Sequence, residues 1–294
     1  MLEGAKLEGA RTELFSELIE TCDGMLPPQV YARIYQTAQR GGLIVEVGTA
    51  LGAATVALAL GLKHSGRAGH VFTFDPMTGG PRRSVGSAEK RIARIRQNLA
   101  HYGVTDLVTI TPHDLCGGLS ALPDGPVSVL MLDADGRIDR DLEILNDRLV
   151  RDCSLIIDDV ADLVRVKRRG AVYRIDSKMR LSWLLTNKLI ASGSLSTGQK
   201  LVDTYFGQLT GDRARLIEPA DALDAYRQLV FQNASANRMQ RLRSHVLEWW
   251  QDLSPDLAAK CRRAYRRIKY RDQMAASDRV HPASDASVSQ STRQ

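Results

Sequence analysis

The sequence predicts an α/β fold built on a parallel, doubly wound sheet with helices on both faces. Short apolar runs at 43–47, 71–74, 107–110, 127–132 and 154–157 alternate with helix-like stretches at 53–62, 88–102 and 138–149. Parallel strands need a crossover of about that length, so the alternation points to a parallel sheet. The runs are nearly continuous in apolar character, as in strands covered on both faces. Gly48 and Gly52 fall where the first run meets the first helix, where the chain must turn sharply.

Ahead of this region, Leu7, Leu14, Phe15, Leu18 and Ile19 recur at roughly helical spacing over residues 7–20. Pro27 and Pro28 open a second helix over 29–39, which Gly41 and Gly42 end. Beyond Asp159 the strict alternation stops. Residues 180–190 read as a helix, 191–198 as a small-residue loop and 201–209 as a late strand. Residues 221–271 are helical in character with a break at Ser254-Pro255, and 275–294 are rich in Ser, Asp and Gln and predicted disordered. The organisation is therefore N-terminal helices at 1–42, an α/β domain at 43–215, a basic helical extension at 216–274 and a tail at 275–294.

The chain has 294 residues, 44% hydrophobic and 25% charged, an ordinary balance for a globular protein with a sizeable core. A net charge of +6 permits acidic partners, nucleic acid included, without requiring them. Cys22, Cys116, Cys153 and Cys261 are far apart and lack C-x-x-C spacing, which predicts buried thiols in place of a zinc site or disulfides. Glu3, Lys6 and Glu8 interrupt the first residues, so no secretory signal is read there. The most apolar stretch, 43–62, contains Glu46 and Gly48 and reads as strand, turn and helix, not a membrane span. A cytoplasmic protein is expected.

The first run leads through Glu46-Val47-Gly48-Thr49-Ala50-Leu51-Gly52 into a helix that includes Thr55. Gly48 and Gly52 supply positive φ or close backbone approach. The free N–H groups of the helix start hold a carboxylate as readily as a phosphate. Glu46 offers an acceptor for an ammonium group or an ordered water. Alone, this turn fits a dinucleotide about as well, but the usual G-x-G-x-x-G form is absent. Asp75, ending the next run, can accept both hydroxyls of a ribose, which either cofactor class carries. The alternative is a turn aspartate ahead of Pro76.

Taken together, Glu46 to Gly52, Asp75-Pro76 and the stretch from Arg91 to Asp159 resemble the class I S-adenosylmethionine-dependent methyltransferases, and among them the small-molecule O-methyltransferases. That family carries in order a helix, a strand, a G-D turn on the adenine side, D-A-D, and D-N or D-D. Here these are residues 92–102, 107–110, His113-Asp114, Asp133-Ala134-Asp135 and Asp158-Asp159. The resemblance covers about residues 25–210. It implies a Rossmann-like, mainly parallel seven-stranded sheet with N-terminal helices and a helical C-terminal extension. It implies a donor site of Glu46, Gly48, Thr49, Ala50, Gly52, Thr55, Asp75, Asp114 and Asp133. Asp114 matches a residue near the adenine, and reads equally as a helix N-cap ahead of Leu115.

In the family's sheet the strands ending at Leu132 and Ile157 are neighbours, roughly 4.8 Å apart. Asp133, Asp158 and Asp159 would then converge. Two like charges about 4 Å apart repel by about 4 kcal/mol at an effective dielectric near 20, so three carboxylates need a cation or a raised pKa. Oxygen ligands without His or Cys favour Mg²⁺. The resemblance implies the same ion on the same three residues, where it would lower the pKa of an acceptor hydroxyl and fix its position. Relatives acting on catechol-like acceptors often carry a Lys just after D-A-D. Here Gly136-Arg137 follows, and arginine is a poor base. Antibiotic- and sugar-tailoring relatives often have D-G-D, whose second Asp is a candidate base, and Asp135 matches it. Asp135 and Asp133 are thus the candidate catalytic residues. The alternative for Asp135 is an N-cap of the helix at 138–149.

Two basic stretches remain. Residues 165–169 could steer an anionic acceptor, close as a lid, or form a solvated face, and 78–83 reads as a loop over the pocket. Lys260, Arg262, Arg263, Arg266, Arg267, Lys269 and Arg271, interleaved with Trp249, Trp250, Tyr265 and Tyr270, could bind RNA. Alternatively, Val246, Leu247, Trp250 and Leu253 would pack this segment on the body or on a second subunit. The expected function is O-methylation of a small hydroxylated metabolite, a natural-product or sugar-like acceptor, assisted by Mg²⁺. The alternatives are an RNA methyltransferase and a non-catalytic donor-binding partner subunit. Apolar faces on residues 7–39 would suit a homodimer.

Overall fold

A computed structural model describes residues 15–78, 85–169, 172–210, 216–231 and 238–277. Residues 15–21 are helical and precede α1 (Pro28–Ala38). The alternating region follows as β1 (Gly42–Val47), α2 (Ala53–Ser65), β2 (Gly69–Phe74), α3 (Ala88–His101), β3 (Val108–Thr111), β4 (Val127–Leu132), α5 (Ile138–Leu145) and β5 (Leu149–Ile157), with α4 (Leu115–Gly118) a single turn between β3 and β4. Then come β6 (Arg165–Arg169), β7 (Val172–Asp176), α6 (Lys178–Ala191), β8 (Gln199–Leu201) and β9 (Thr204–Gln208). Three helices close the described chain: α7 (Pro219–Phe231), α8 (Arg238–Leu253) and α9 (Pro255–Ser277).

The main sheet has seven strands in the order β3-β2-β1-β4-β5-β9-β8. The first five are parallel, and β9 and β8 add antiparallel. Chain direction in the sheet reverses between β1 and β4, where crossovers leave to opposite sides and a crevice opens at the strand ends. Successive side chains of a strand face opposite ways, and the two cores follow that period. Ile44, Val71, Val129, Met131 and Ile156 join one core, under α1, α2, α3 and residues 15–21. Val45, Val47, Phe72, Phe74, Leu130, Leu132, Leu155 and Ile157 join the other, under α5, α6 and α7. Burial on both faces explains why the strands read as continuous apolar runs. Helix α2 is buried nearly all round, from Ala53 to Leu62, because α1 lies across its outer side. Among the described residues no helix is long and apolar enough to cross a membrane.

Several sequence expectations change. The run at 154–157 is only the buried end of a strand that starts at Leu149, so the helix expected to 149 stops at Leu145. The basic stretch at 165–169 is a strand, paired with β7 in a two-stranded hairpin. The late strand is two, β8 and β9, joined at Val202, whose φ is +56°. Residues 275–277, placed in the tail, continue α9, and the remaining tail lies outside the described residues, as do residues 79–83 of the expected loop and most of the helix at 7–20. Cys22 and Cys153 are buried as expected, but Cys116 is exposed.

Within the C-terminal extension α7 packs on the second core through Ala225, and α9 docks on residues 20–24 through charge and on the first core through one aromatic ring. Arg266 donates to the Gly24 carbonyl at 2.6 Å and pairs with Asp23 at 3.4 Å, and Arg267 pairs with Glu20. Tyr270 enters the first core. Val246, Leu247 and Leu253, expected to pack on the body or on a second subunit, do not pack on the body and are exposed on the single chain, while Ser244 of α8 is buried.

Candidate active site

Four of the five parallel strands continue the ladder one residue beyond their ends. Gly48 N–H donates to Phe74 O, Asp75 N–H to Thr111 O, Asp133 N–H to Val47 O and Asp158 N–H to Leu132 O. Four residues singled out in the sequence therefore stand side by side at one edge of the sheet. They do so because the apolar runs all end in register.

Gly48 has φ +105°, and a Cβ there would lie 2.4 Å from the Asp133 carbonyl oxygen. The loop is thus pressed against the start of the acidic strand end. Ala50 follows at φ +53° and Gly52 at +85° as the N-cap of α2. Asp75 holds this loop: its Oδ2 accepts from Ala50 N–H at 3.1 Å and its Oδ1 from Met77 N–H at 2.7 Å. A carboxylate has about four acceptor sites, so ribose hydroxyls can still share it. Asn98 of α3 donates to the Leu51 carbonyl at 2.8 Å and ties down the outer side of the turn.

Glu46 is completely buried. Its Oε2 accepts from Thr55 and Thr73, each at 2.6 Å, and Thr49 in turn bonds Thr73. Its Oε1 has no partner among the described residues. Burial pushes the carboxyl up to about 7, against the opposing hydroxyls. An orphaned acceptor behind a glycine turn fits a cationic group such as the ammonium of an amino-acid moiety. The folded pKa is raised, so the stability contribution is complete below the unfolded value of 4.5 and is lost as pH rises through about 7. At 1.36 kcal/mol per unit this is about 3 kcal/mol. Glu46→Gln removes the titration. Urea melts are expected to show the wild-type chain losing stability from pH 5 to pH 8 by more than the variant does. Equal losses would contradict the assignment.

The acidic side of the crevice converges. Ligand atoms of Asp133, Asp158 and Asp159 lie within 4.8 Å of one another. A lysine is placed among them. The Nζ of Lys178 is 2.9 Å from Asp133 Oδ1 and 2.9 Å from Asp159 Oδ2. Asp158 accepts from Thr204 of β9 at 2.5 Å, and Arg165 approaches Asp159 at 3.8 Å. Burial raises Asp133, and raises Asp158 further because its two acidic neighbours add repulsion. Burial alone would lower the Lys178 ammonium, but the three carboxylates outweigh it and hold it above its usual value.

The other predicted residues stand apart from this cluster. Both Asp135 oxygens bond Arg140, at 2.9 and 3.1 Å, and Oδ1 also accepts from Arg137 N–H. Although burial pushes its carboxyl up, these donors hold it below the usual range. A depressed carboxyl is a weak base. Asp114 is exposed and accepts from Gly117 N–H at 2.7 Å, the N-cap geometry.

Residues 45–160, from β1 to just past the paired aspartates, match the family model for a methyltransferase domain. The match spans 116 of the 294 residues and makes this stretch similar to a methyltransferase domain. Solved structures share its fold. A protein of Staphylococcus aureus provisionally named a caffeoyl-CoA O-methyltransferase is 17% identical, with 72% of this chain and 100% of that chain covered and a TM-score of 0.50. The S-adenosylhomocysteine-bound methyltransferase PaMTH1 of Podospora anserina is 16% identical over 69% and 88% of the two chains, TM-score 0.50. A cofactor-bound protein of MTB, Rv0187, is 18% identical over 69% and 89%, TM-score 0.50. Among curated proteins no sequence matches.

The glycine turn from Glu46 to Gly52 and the three aspartates at this sheet edge are residues named from the sequence. Three further residues of the site were not. Lys178 comes from the start of α6, Thr204 from an antiparallel strand and Asn98 from the outer helix α3. None is near its partner in sequence, and no local motif marks them. A larger cleft, about 590 Å³, is lined by Arg40 and Arg67 beside the N-terminal ends of β1 and β2, away from this chemistry.

Proposed function

We propose that the chain is an O-methyltransferase that uses S-adenosylmethionine to methylate a hydroxyl of a small metabolite, with a natural-product or sugar-like acceptor the class that the resemblance points to. One observation carries the reading: the donor loop, at Gly48, packs on the backbone of Asp133, so donor and acid–lysine cluster share one crevice. When bound, S-adenosylmethionine supplies a methyl on a sulfonium; the acceptor oxygen bonds to that carbon while the carbon–sulfur electron pair stays on sulfur. Glu46 Oε1 would take the donor's ammonium, the start of α2 its carboxylate and Asp75 its ribose hydroxyls. The carboxylates of the cluster would accept the hydroxyl proton, and Lys178 would hold the oxygen in line. Alignment of this kind contributes about 7–11 kcal/mol to lowering the barrier, and a positioned base roughly 10²–10⁴-fold, so orientation matters most.

The resemblance adds Mg²⁺. The donor set is of the right type, but the Lys178 ammonium already bonds two of the three carboxylates. A resident ion does not fit that arrangement, and no step here runs through one. The RNA reading gains little, because Arg266 and Arg267 of the basic cluster are engaged with Gly24, Asp23 and Glu20.

The test incubates the full chain with methyl-labelled donor and a panel of hydroxylated small molecules, beside transfer RNA. Label on a hydroxyl oxygen of a small acceptor is the expected result. Label on RNA alone would contradict the reading.

A further inference from the structure

We infer that Lys178 is the resident cation of the acceptor site and stands where a divalent ion would otherwise sit, so that this chain binds no divalent metal there. The inference rests on the reading above and specifies how its acceptor side is charged.

Lys178 is placed by several independent contacts. It is the first residue of α6, and its backbone N–H donates to Asp176 Oδ1 at 3.2 Å. Gly136 makes room for it. At φ +84°, a Cβ on Gly136 would lie 2.9 Å from the Lys178 carbonyl oxygen and 3.3 Å from its Cγ. Any side chain at 136 would push the start of α6 outward and draw the ammonium off the carboxylates. The Nζ then meets one oxygen of Asp133 and one of Asp159 at equal distance, in a site sheltered enough that the three side chains are about one-fifth exposed.

The third carboxylate is also taken, since Asp158 accepts from Thr204. Each acid of the cluster therefore has a donor from this chain. A magnesium-sized ion needs near-octahedral oxygens at about 2.0–2.1 Å. To enter, it would have to strip Lys178 from both acids, and it would meet the ammonium's positive charge at close range. An ammonium on a four-carbon stem does what the acceptor chemistry asks of a cation. It neutralises the cluster and presents N–H donors toward a hydroxyl oxygen.

The test is a Mn²⁺ titration followed by electron paramagnetic resonance on the full chain. The wild-type chain, Lys178→Met and Lys178→Arg are compared, each with a parallel calorimetric titration of S-adenosylhomocysteine. Expected are no saturable Mn²⁺ binding by wild type or Lys178→Arg, and one Mn²⁺ per chain in Lys178→Met, tighter by roughly 100-fold. Saturable binding by the wild-type chain, lost in Asp159→Asn, would overturn the proposal. So would a Lys178→Met chain that still binds S-adenosylhomocysteine but no Mn²⁺. If Lys178→Met does not fold, the wild-type titration alone decides, since saturable binding there refutes the proposal and its absence upholds it. Loss of S-adenosylhomocysteine binding by wild type would count against the donor reading and leave the metal result standing.

Discussion

Gly48→Ala is expected to lower the melting temperature by about 6–12 °C and to abolish measurable S-adenosylhomocysteine binding, read by calorimetric titration. The reason is geometric. The new methyl would stand 2.4 Å from the Asp133 carbonyl oxygen and 2.6 Å from its carbon, against backbone that cannot rotate away. Overpacking of this kind costs about 1–3 kcal/mol, and a left-handed backbone costs a residue with a Cβ a further 1–2 kcal/mol or so, about 3 kcal/mol in all. Relief requires the loop to lift off β4. That movement breaks the Ala50–Asp75 hydrogen bond and shifts Asp133 together with the donor loop. A variant that melts and binds like wild type would show that the loop and the acidic strand end are not in contact.

The second large effect concerns Lys178. Lys178→Met leaves Asp133 and Asp159 without the ammonium that bonds both of them. Removing one partner of a buried ion pair costs about 3–5 kcal/mol. The acids here are partly sheltered and one can take up a proton, so the lower end applies, about 3 kcal/mol. Thermal melts are expected to fall by about 6–12 °C for a chain of this size. Mn²⁺ at about 100 times its dissociation constant should restore roughly 2.7 kcal/mol, nearly the whole loss. A variant as stable as wild type, or one indifferent to Mn²⁺, would mean that Lys178 does not neutralise the cluster.

The parts of the site that the sequence exposed are those carried by short-range rules. Apolar runs buried on both faces mark β1, β2, β4 and β5, and whatever follows such a run stands at the sheet edge. Gly48, Asp75, Asp133 and Asp158 needed no more than that. Glu46 was visible as a charge inside an apolar run. Lys178 was hidden for the opposite reason. It lies 45 residues from Asp133, beyond a hairpin, and only the tertiary path returns it to the site. The hairpin itself left a trace that the charge obscured: Val166, Val172, Tyr173 and Ile175 flank Gly170-Ala171 with strand-forming residues. Asp135 illustrates the limit of motif matching. Its position fits a base, yet Arg140, five residues further on, engages both its oxygens. Exposed Val246, Leu247 and Leu253 mark a second limit, since the helical spacing of α8 was legible but its facing was not.

The most direct measurement is a crystal of the full chain soaked with S-adenosylhomocysteine and MnCl₂, with diffraction recorded at the manganese absorption edge. Ligand density is expected along Gly48–Gly52, with ribose hydroxyls on Asp75 and an amino group on Glu46 Oε1. No anomalous peak is expected between Asp133 and Asp159, where the Lys178 ammonium should stand instead. Ligand density elsewhere, or an anomalous peak bonded to both aspartates with Lys178 swung out, would contradict this expectation.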